Sequence, residues 1–296
     1  MSTTNQHASG EESPDEHETA LAAVEARVQA GLRKRTARAR RAALGYPILV
    51  VVVIGLLWEY GTRAAGVPPF ILPPPSLIAQ SLAAHWGLLL NNGWATLVEI
   101  LLGFGLSVVV GVPLAMALFL WPAFSRSVYP LLVSSQAVPK VAVAPLFVVW
   151  FGFGLLPKVL IAFLIAFFPI VINTAVGLES IEREKILLAR SMGLSALDTF
   201  FKIRLPSALP TVFGGMKIAI TLAVVGAVVG EFVGGEEGLG YVLLTANGSM
   251  DTPLLFAGVI ALTVVGVALY LLVELAERLA IPHAALRQQA RGGDTA

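Results

Sequence analysis

The sequence predicts an all-α, polytopic membrane protein of about six transmembrane helices, and three observations predict it. Of 296 residues, 56% are hydrophobic and only 13% charged, roughly half the charged share of an ordinary soluble domain. The mean hydropathy is +0.80. The charges gather at the two ends of the chain and between Glu179 and Lys202, leaving long runs almost free of them.

Residues 1–43 read as a cytoplasmic tail followed by a basic segment. Glu11, Glu12, Asp15, Glu16 and Glu18 surround Pro14 with too little apolar surface to offset the entropy of ordering. Leu21, Val24, Val28 and Leu32 then recur at helical spacing, and Arg33, Lys34, Arg35, Arg38, Arg40 and Arg41 follow. That segment suits a short helix on the bilayer surface or a solvated basic run that fixes orientation. A secretory signal is not expected, since the first long apolar run begins about forty residues in and further spans follow.

Six stretches can each cover a hydrocarbon core of roughly 30 Å: approximately 44–63, 89–119, 127–150, 157–178, 212–233 and 253–277. They make residues 44–280 a transmembrane domain, with 281–296 as a second tail. Lys and Arg crowd the N-terminal segment, the 179–211 loop and the tail with Arg278, Arg287 and Arg291, whereas the opposite loops hold only Arg63 and Lys158. By the positive-inside rule both termini are expected in the cytoplasm of a multi-pass cell-membrane protein. On the outer side, the prolines of residues 66–76 predict an extended, stiff strap. The glycine-rich stretch from Gly234 to Asp251 leaves room for one short helix. Glu59, near the outer end of the first span, is expected to reach toward the interface.

The connection from Glu179 to Pro210 is too charged to enter the membrane and too apolar for an idle linker. Leu187, Leu194, Leu197, Phe201 and Leu205 fall along one side of helical structure. Gly193 suits the left-handed end of a first helix, Ser195 with Asp198 forms a capping-box pattern opening a second, and Pro206 is expected to stop it. The expectation is helix, turn, helix.

The order Ala189, Gly193, Ile203, Leu205, Pro206, with three residues between the first two and nine between Gly193 and Ile203, resembles the EAA loop of binding-protein-dependent ABC importer permeases. Leu187 and Leu188 stand where that family often has Glu and Ala. The likeness extends over roughly residues 45–280 and is similar to the nitrate, sulfonate and taurine permease branch. Its supporting stretches are Pro68 to Pro75, Pro139-Lys140, Pro145-Leu146-Phe147, Trp150-Phe151-Gly152, and Glu231 followed by Gly238-Leu239-Gly240-Tyr241.

The resemblance implies a type I ABC importer permease fold, in which Ala189, Arg190, Gly193, Leu194, Ser195, Asp198, Ile203, Leu205 and Pro206 form a coupling element docked on a cytoplasmic ATPase. It implies a second copy of the permease, two ABC ATPase subunits that bind ATP and Mg, and an extracytoplasmic substrate-binding protein. The chain itself would carry no cofactor. The expected cargo is a small anionic solute such as a sulfonate, taurine or nitrate, with bicarbonate, pyrimidine precursors and aromatic acids open within the class.

Glu99, Lys140, Lys217 and Glu231 lie in or beside predicted spans, where a central charge costs roughly 2.5 to 3.5 kcal/mol. They are expected to face one another, a partner subunit or a hydrated pathway, and pairing for packing alone accounts for them equally well. Lys140 follows Ser134, Ser135, Gln136 and Pro139, a polar helix break of the kind that lines transport pathways. Gly103, Gly105 and Gly111 mark a close helix contact, either internal or between subunits.

The chain has no cysteine, and His7, His17, His85 and His283 are too scattered for a metal cluster. No lysine is preceded by glycine, so a phosphate-binding loop is absent and the chain is expected to be a transport subunit rather than an enzyme. Lipid is an expected partner and nucleic acid is not. An ion-coupled secondary transporter remains an alternative, though it leaves the 179–211 loop unexplained. An intramembrane enzyme is more remote, since no His-Glu-x-x-His or Gly-x-Ser-x-Gly pattern occurs.

Overall fold

A computed structural model describes residues 49–281, which fall into two compact units that divide between Gly66 and Val67. The N-terminal tail, the basic segment and the tail after Ile281 lie outside the described residues. In the first unit, α1 (49–64) is an apolar helix with Val51 and Leu57 exposed. Glu59 meets Arg63 one turn later at 2.5 Å, and the Thr62 hydroxyl donates to the Trp58 carbonyl at 2.9 Å.

The second unit runs α2 (Pro75–Ala84), α3 (Trp86–Leu120), α4 (Pro122–Ser135), α5 (Lys140–Phe151), α6 (Leu155–Glu179), α7 (Arg183–Ser191), α8 (Ala196–Thr199), a π turn (Phe200–Arg204), α9 (Leu205–Gly234), α10 (Leu239–Gly248) and α11 (Thr252–Ala280). Among the described residues four helical segments are long and apolar enough to cross a membrane: Trp86–Leu120, Leu155–Glu179, Ala196–Gly234 and Thr252–Ala280. The described part of α1 is shorter than a full span.

The stretch expected to cross near 127–150, with a polar helix break before Lys140, is α4 and α5, bent by 95°. Pro139 stands as the residue before α5 with ψ 101. Its ring disfavours helical backbone at Val138, and it brings no amide to continue the ladder. The proline-rich strap also differs from an extended segment: Ile71 and Leu72 donate to the Pro68 carbonyl, making a turn. Pro75 then opens α2, where its fixed φ suits the first helical position.

The core is built on α6, which packs most extensively against α3 and α9. Ile100, Ala166, Ile170, Ala219, Ile220, Ala223 and Ala227 form its centre. Apolar burial drives helices together weakly in lipid, so close backbone approach must contribute, and the glycines show where. A Cβ on Gly103 would stand 2.5 Å from Ala162 Cβ, and one on Gly226 2.6 Å from Ala162 Cα. Gly111 likewise faces Ile170, whereas a Cβ on Gly105 would meet nothing within 4 Å. Gly103 and Gly111 therefore serve contacts inside the chain. Gly226, Gly230 and Gly234 form a four-residue repeat along α9 that lies against Ala162, Lys158 and Val148 in turn.

Candidate functional site

The candidate features lie at opposite ends of α6, a helix of 25 residues and so about 37 Å long. At its C-terminal end α7 and α8 form the expected helix, turn, helix. Gly193 adopts φ 81, its amide donates to Arg190 O at 3.0 Å, and the Leu194 amide donates to Ala189 O at 3.1 Å. This is a Schellman closure, which requires the left-handed glycine. The Ser195 Oγ accepts from the Asp198 amide at 3.1 Å and lies 2.7 Å from Asp198 Oδ2, and Lys202 holds Oδ1 of that carboxylate at 2.6 Å.

Pro206 does not stop the second helix. The chain continues through the π turn into α9, with Pro206 in its first turn. The Leu205 amide donates five residues back to Phe200 O. That wider register absorbs the hydrogen bond that proline cannot make.

Ala189 is buried, Ile203, Leu205 and Leu194 are half-buried, and Arg190 and Pro206 are exposed. Two contacts tie the loop to the spans. Arg204 donates to Leu178 O at 3.3 Å and lies 4.8 Å from the Phe119 ring centroid. Phe119 in turn stacks on Phe200 at 6.2 Å.

At the N-terminal end of α6 the membrane charges meet. Lys158, expected in a loop, is only 3% exposed and bonds Glu99 Oε1 at 2.7 Å, while its ammonium also reaches Glu237 O at 3.3 Å. Glu231 is fully buried. It accepts from Thr96 Oγ1 at 2.6 Å and from the Gly240 amide. The Leu239 amide donates to Thr96 Oγ1 at 2.8 Å, and the Gly238 amide to Asn92 Oδ1 at 2.8 Å. A cavity of about 450 Å³ lined by Phe153, Gly154, Lys158, Gly234, Glu236 and Glu237 opens beside this cluster.

The other candidate residues stand apart. Lys217 pairs with Glu277 of α11. Ser134, Ser135 and Gln136 are exposed at the α4–α5 break, and the Lys140 ammonium lies 4.8 Å from the Phe168 ring centroid. The structure thus brings Glu99 and Glu231 together and leaves Lys140 and Lys217 separate. Sequence reasoning missed Asn92, Thr96, Lys158, Phe119 and Arg204. Lys158 had a signal: Glu99 needs a cation, and Lys158 opens the next long span.

A bundle of apolar helices with a broken third crossing and a projecting helical loop fits a membrane transport subunit. Residues 107–283 match the family described as "Binding-protein-dependent transport system inner membrane component". The riboflavin transport system permease protein RibX of Chloroflexus aurantiacus is 42% identical over 81% of this chain and 90% of its own length. The taurine transport system permease protein TauC of Escherichia coli is 28% identical over 75% of this chain and 83% of its own. A solved structure titled as inward facing conformations of the MetNI methionine ABC transporter shares the fold. Its TM-score is 0.58 at 20% identity, covering 67% of this chain and 99% of that one.

The chain belongs to the binding-protein-dependent ABC transporter permeases. It has the type I importer permease fold and is the transport subunit of an importer that works with a binding protein and a separate ATPase. Neither the secondary-carrier nor the intramembrane-enzyme reading fits that membership.

Proposed function

We propose that two copies of this chain form the pathway, with both termini in the cytoplasm, and that α7, α8 and the turn between them are the element seated on the ATPase. The observation that carries this is an apolar surface left uncovered on a charged loop. Leu187, Leu188, Met192 and Leu197 are 56%, 62%, 71% and 70% exposed, although Schellman closure and capping box fix the backbone that presents them. Such a surface, rimmed by Arg190 and Lys202, suits a protein groove. Residues 44–280 serve as the permease domain in this reading, flanked by cytoplasmic tails.

The pathway candidates divide by environment. Ser134, Ser135, Gln136 and Lys140 at the α4–α5 break are available to a passing solute, whereas Glu99, Glu231 and Lys217 are engaged by neighbours. Lys140 supports a small anionic cargo such as a sulfonate, taurine or nitrate. A second reading is a heteroaromatic cargo, supported by the relative named for riboflavin, which is 42% identical against 28% for the one named for taurine. Titrating the partner binding protein with taurine, nitrate and riboflavin in a calorimeter separates the two.

The coupling assignment is tested by ATP hydrolysis of the reconstituted complex, comparing wild type with Gly193→Asp as binding protein is added. At φ 81 a side chain costs about 1 to 2 kcal/mol of backbone strain, and the carboxylate adds charge to an apolar docking surface. The expected result is an assembled complex that no longer responds to binding protein. A mutant stimulated as strongly as wild type overturns the assignment.

A further inference from the structure

The sequence element Glu231 with Gly238-Leu239-Gly240 has no part in the coupling loop or the α4–α5 break, yet it has the densest buried polar geometry in the described chain. The start of α10 presents amides that its own helix cannot satisfy. Three of them are taken by side chains from other helices: Gly238 by Asn92, Leu239 by Thr96, and Gly240 by Glu231. Lys158 of α6 holds the carbonyl of Glu237 just ahead of them. The buried Glu231 carboxylate also lies on the positive end of the α10 dipole.

The glycines are a steric requirement of this arrangement. A Cβ at Gly238 would lie 2.1 Å from Glu231 Oε1, and one at Gly240 would lie 2.5 Å from Oε2. Gly238 further adopts φ 113, which side-chain residues rarely do. Gly248, at the far end of the same helix, would accept a Cβ with nothing within 4 Å. The constraint is therefore local to the carboxylate.

We propose that Glu231, Thr96, Asn92 and Lys158 form a latch that locks α10 to α3, α6 and α9, making α10 follow the rearrangement of those helices during the ATP cycle. In the orientation given above α10 faces outward, so the latch presents the nucleotide state of the cytoplasmic ATPases at the surface where binding protein arrives. This rests on the coupling reading. Because the bonds to the start of α10 and to the Glu237 carbonyl just ahead of it come from three different spanning helices, relative movement of those helices cannot leave all of them intact. Either α10 moves or its amides become exchangeable.

The test is hydrogen–deuterium exchange of peptides covering Leu239–Gly248 in the permease–ATPase complex in nanodiscs. Nucleotide-free samples are compared with samples trapped by ATP, Mg and vanadate. In wild type the exchange is expected to differ between the two states. In Gly240→Ala, where the added methyl displaces the carboxylate, exchange is expected to rise at least about tenfold and to lose its dependence on nucleotide, with ATP hydrolysis retained. Thr96→Val removes two of the bonds with little change of shape and is expected to act the same way more weakly. Gly248→Ala is expected to match wild type. The latch is overturned if wild type shows no nucleotide response at α10, or if both Gly240→Ala and Thr96→Val keep it. Failure of the coupling reading shows elsewhere, as a Gly193→Asp complex that responds normally to binding protein.

Discussion

The two ends of α6 handle polar and apolar groups in opposite ways. Around Lys158, carboxylates, an ammonium and helix-start amides are brought together and bonded within the chain. Around Gly193 the backbone is satisfied while apolar side chains face outward. One end satisfies its buried groups within the chain, Glu99 Oε2 excepted, and the other leaves an apolar surface that the proposed coupling role assigns to the ATPase. Fold stability should therefore be sensitive to substitution at the first end and assembly to substitution at the second.

The largest effect is expected from Lys158→Met, which leaves Glu99 buried without its cation. Removing one partner of a buried pair costs about 3 to 5 kcal/mol, and should appear as a large loss of melting temperature in detergent. The double variant Glu99→Gln with Lys158→Met should recover most of it. A single variant as stable as wild type would mean that the pair is hydrated and the closed-end description wrong.

A smaller loss is expected from Gly226→Val, whose Cβ would press on the Ala162 backbone at 2.6 Å. Overpacking of this kind costs about 1 to 3 kcal/mol, while Gly105→Val, placed in open space, should melt like wild type. Equal melting of the two would show that the α6–α9 contact yields. The smallest change in stability is expected from Leu188→Ser with Leu197→Ser, within about 0.5 kcal/mol per site because both are exposed. The same variant should lose most of the ATPase that co-elutes from an affinity column. Unchanged co-elution would remove the contrast between the two ends.

Much of this was legible in the residues. Long apolar runs marked the spans because lipid demands them, and the loop's turn and caps followed from Gly193, Ser195 and Asp198, whose roles are set within a few residues. Pro206 was misread because its local signal is ambiguous. Proline ends one helix or begins another, and only the π turn before it decides which. Pro139 was read as a polar break, yet the 95° bend depends on how α5 packs against α6. The polar cluster was harder still. Asn92, Thr96, Lys158 and Glu231 are far apart in sequence and each is unremarkable alone, so their meeting is a product of helix packing. Even so, the glycine spacing that draws α9 onto α6 was present: Gly226, Gly230 and Gly234 lay α9 against Ala162, Lys158 and Val148.

The segment from Ala196 to Gly234 is helical without a gap. It begins in the loop proposed to meet the ATPase and carries Glu231 near its other end. A helix turns about 100° per residue, so the two ends are held in fixed angular phase. Adding or removing one residue between Pro210 and Glu231 would swing the carboxylate to another face while leaving the composition of both ends unchanged. Length is therefore information in this segment: its register matters as much as its residues.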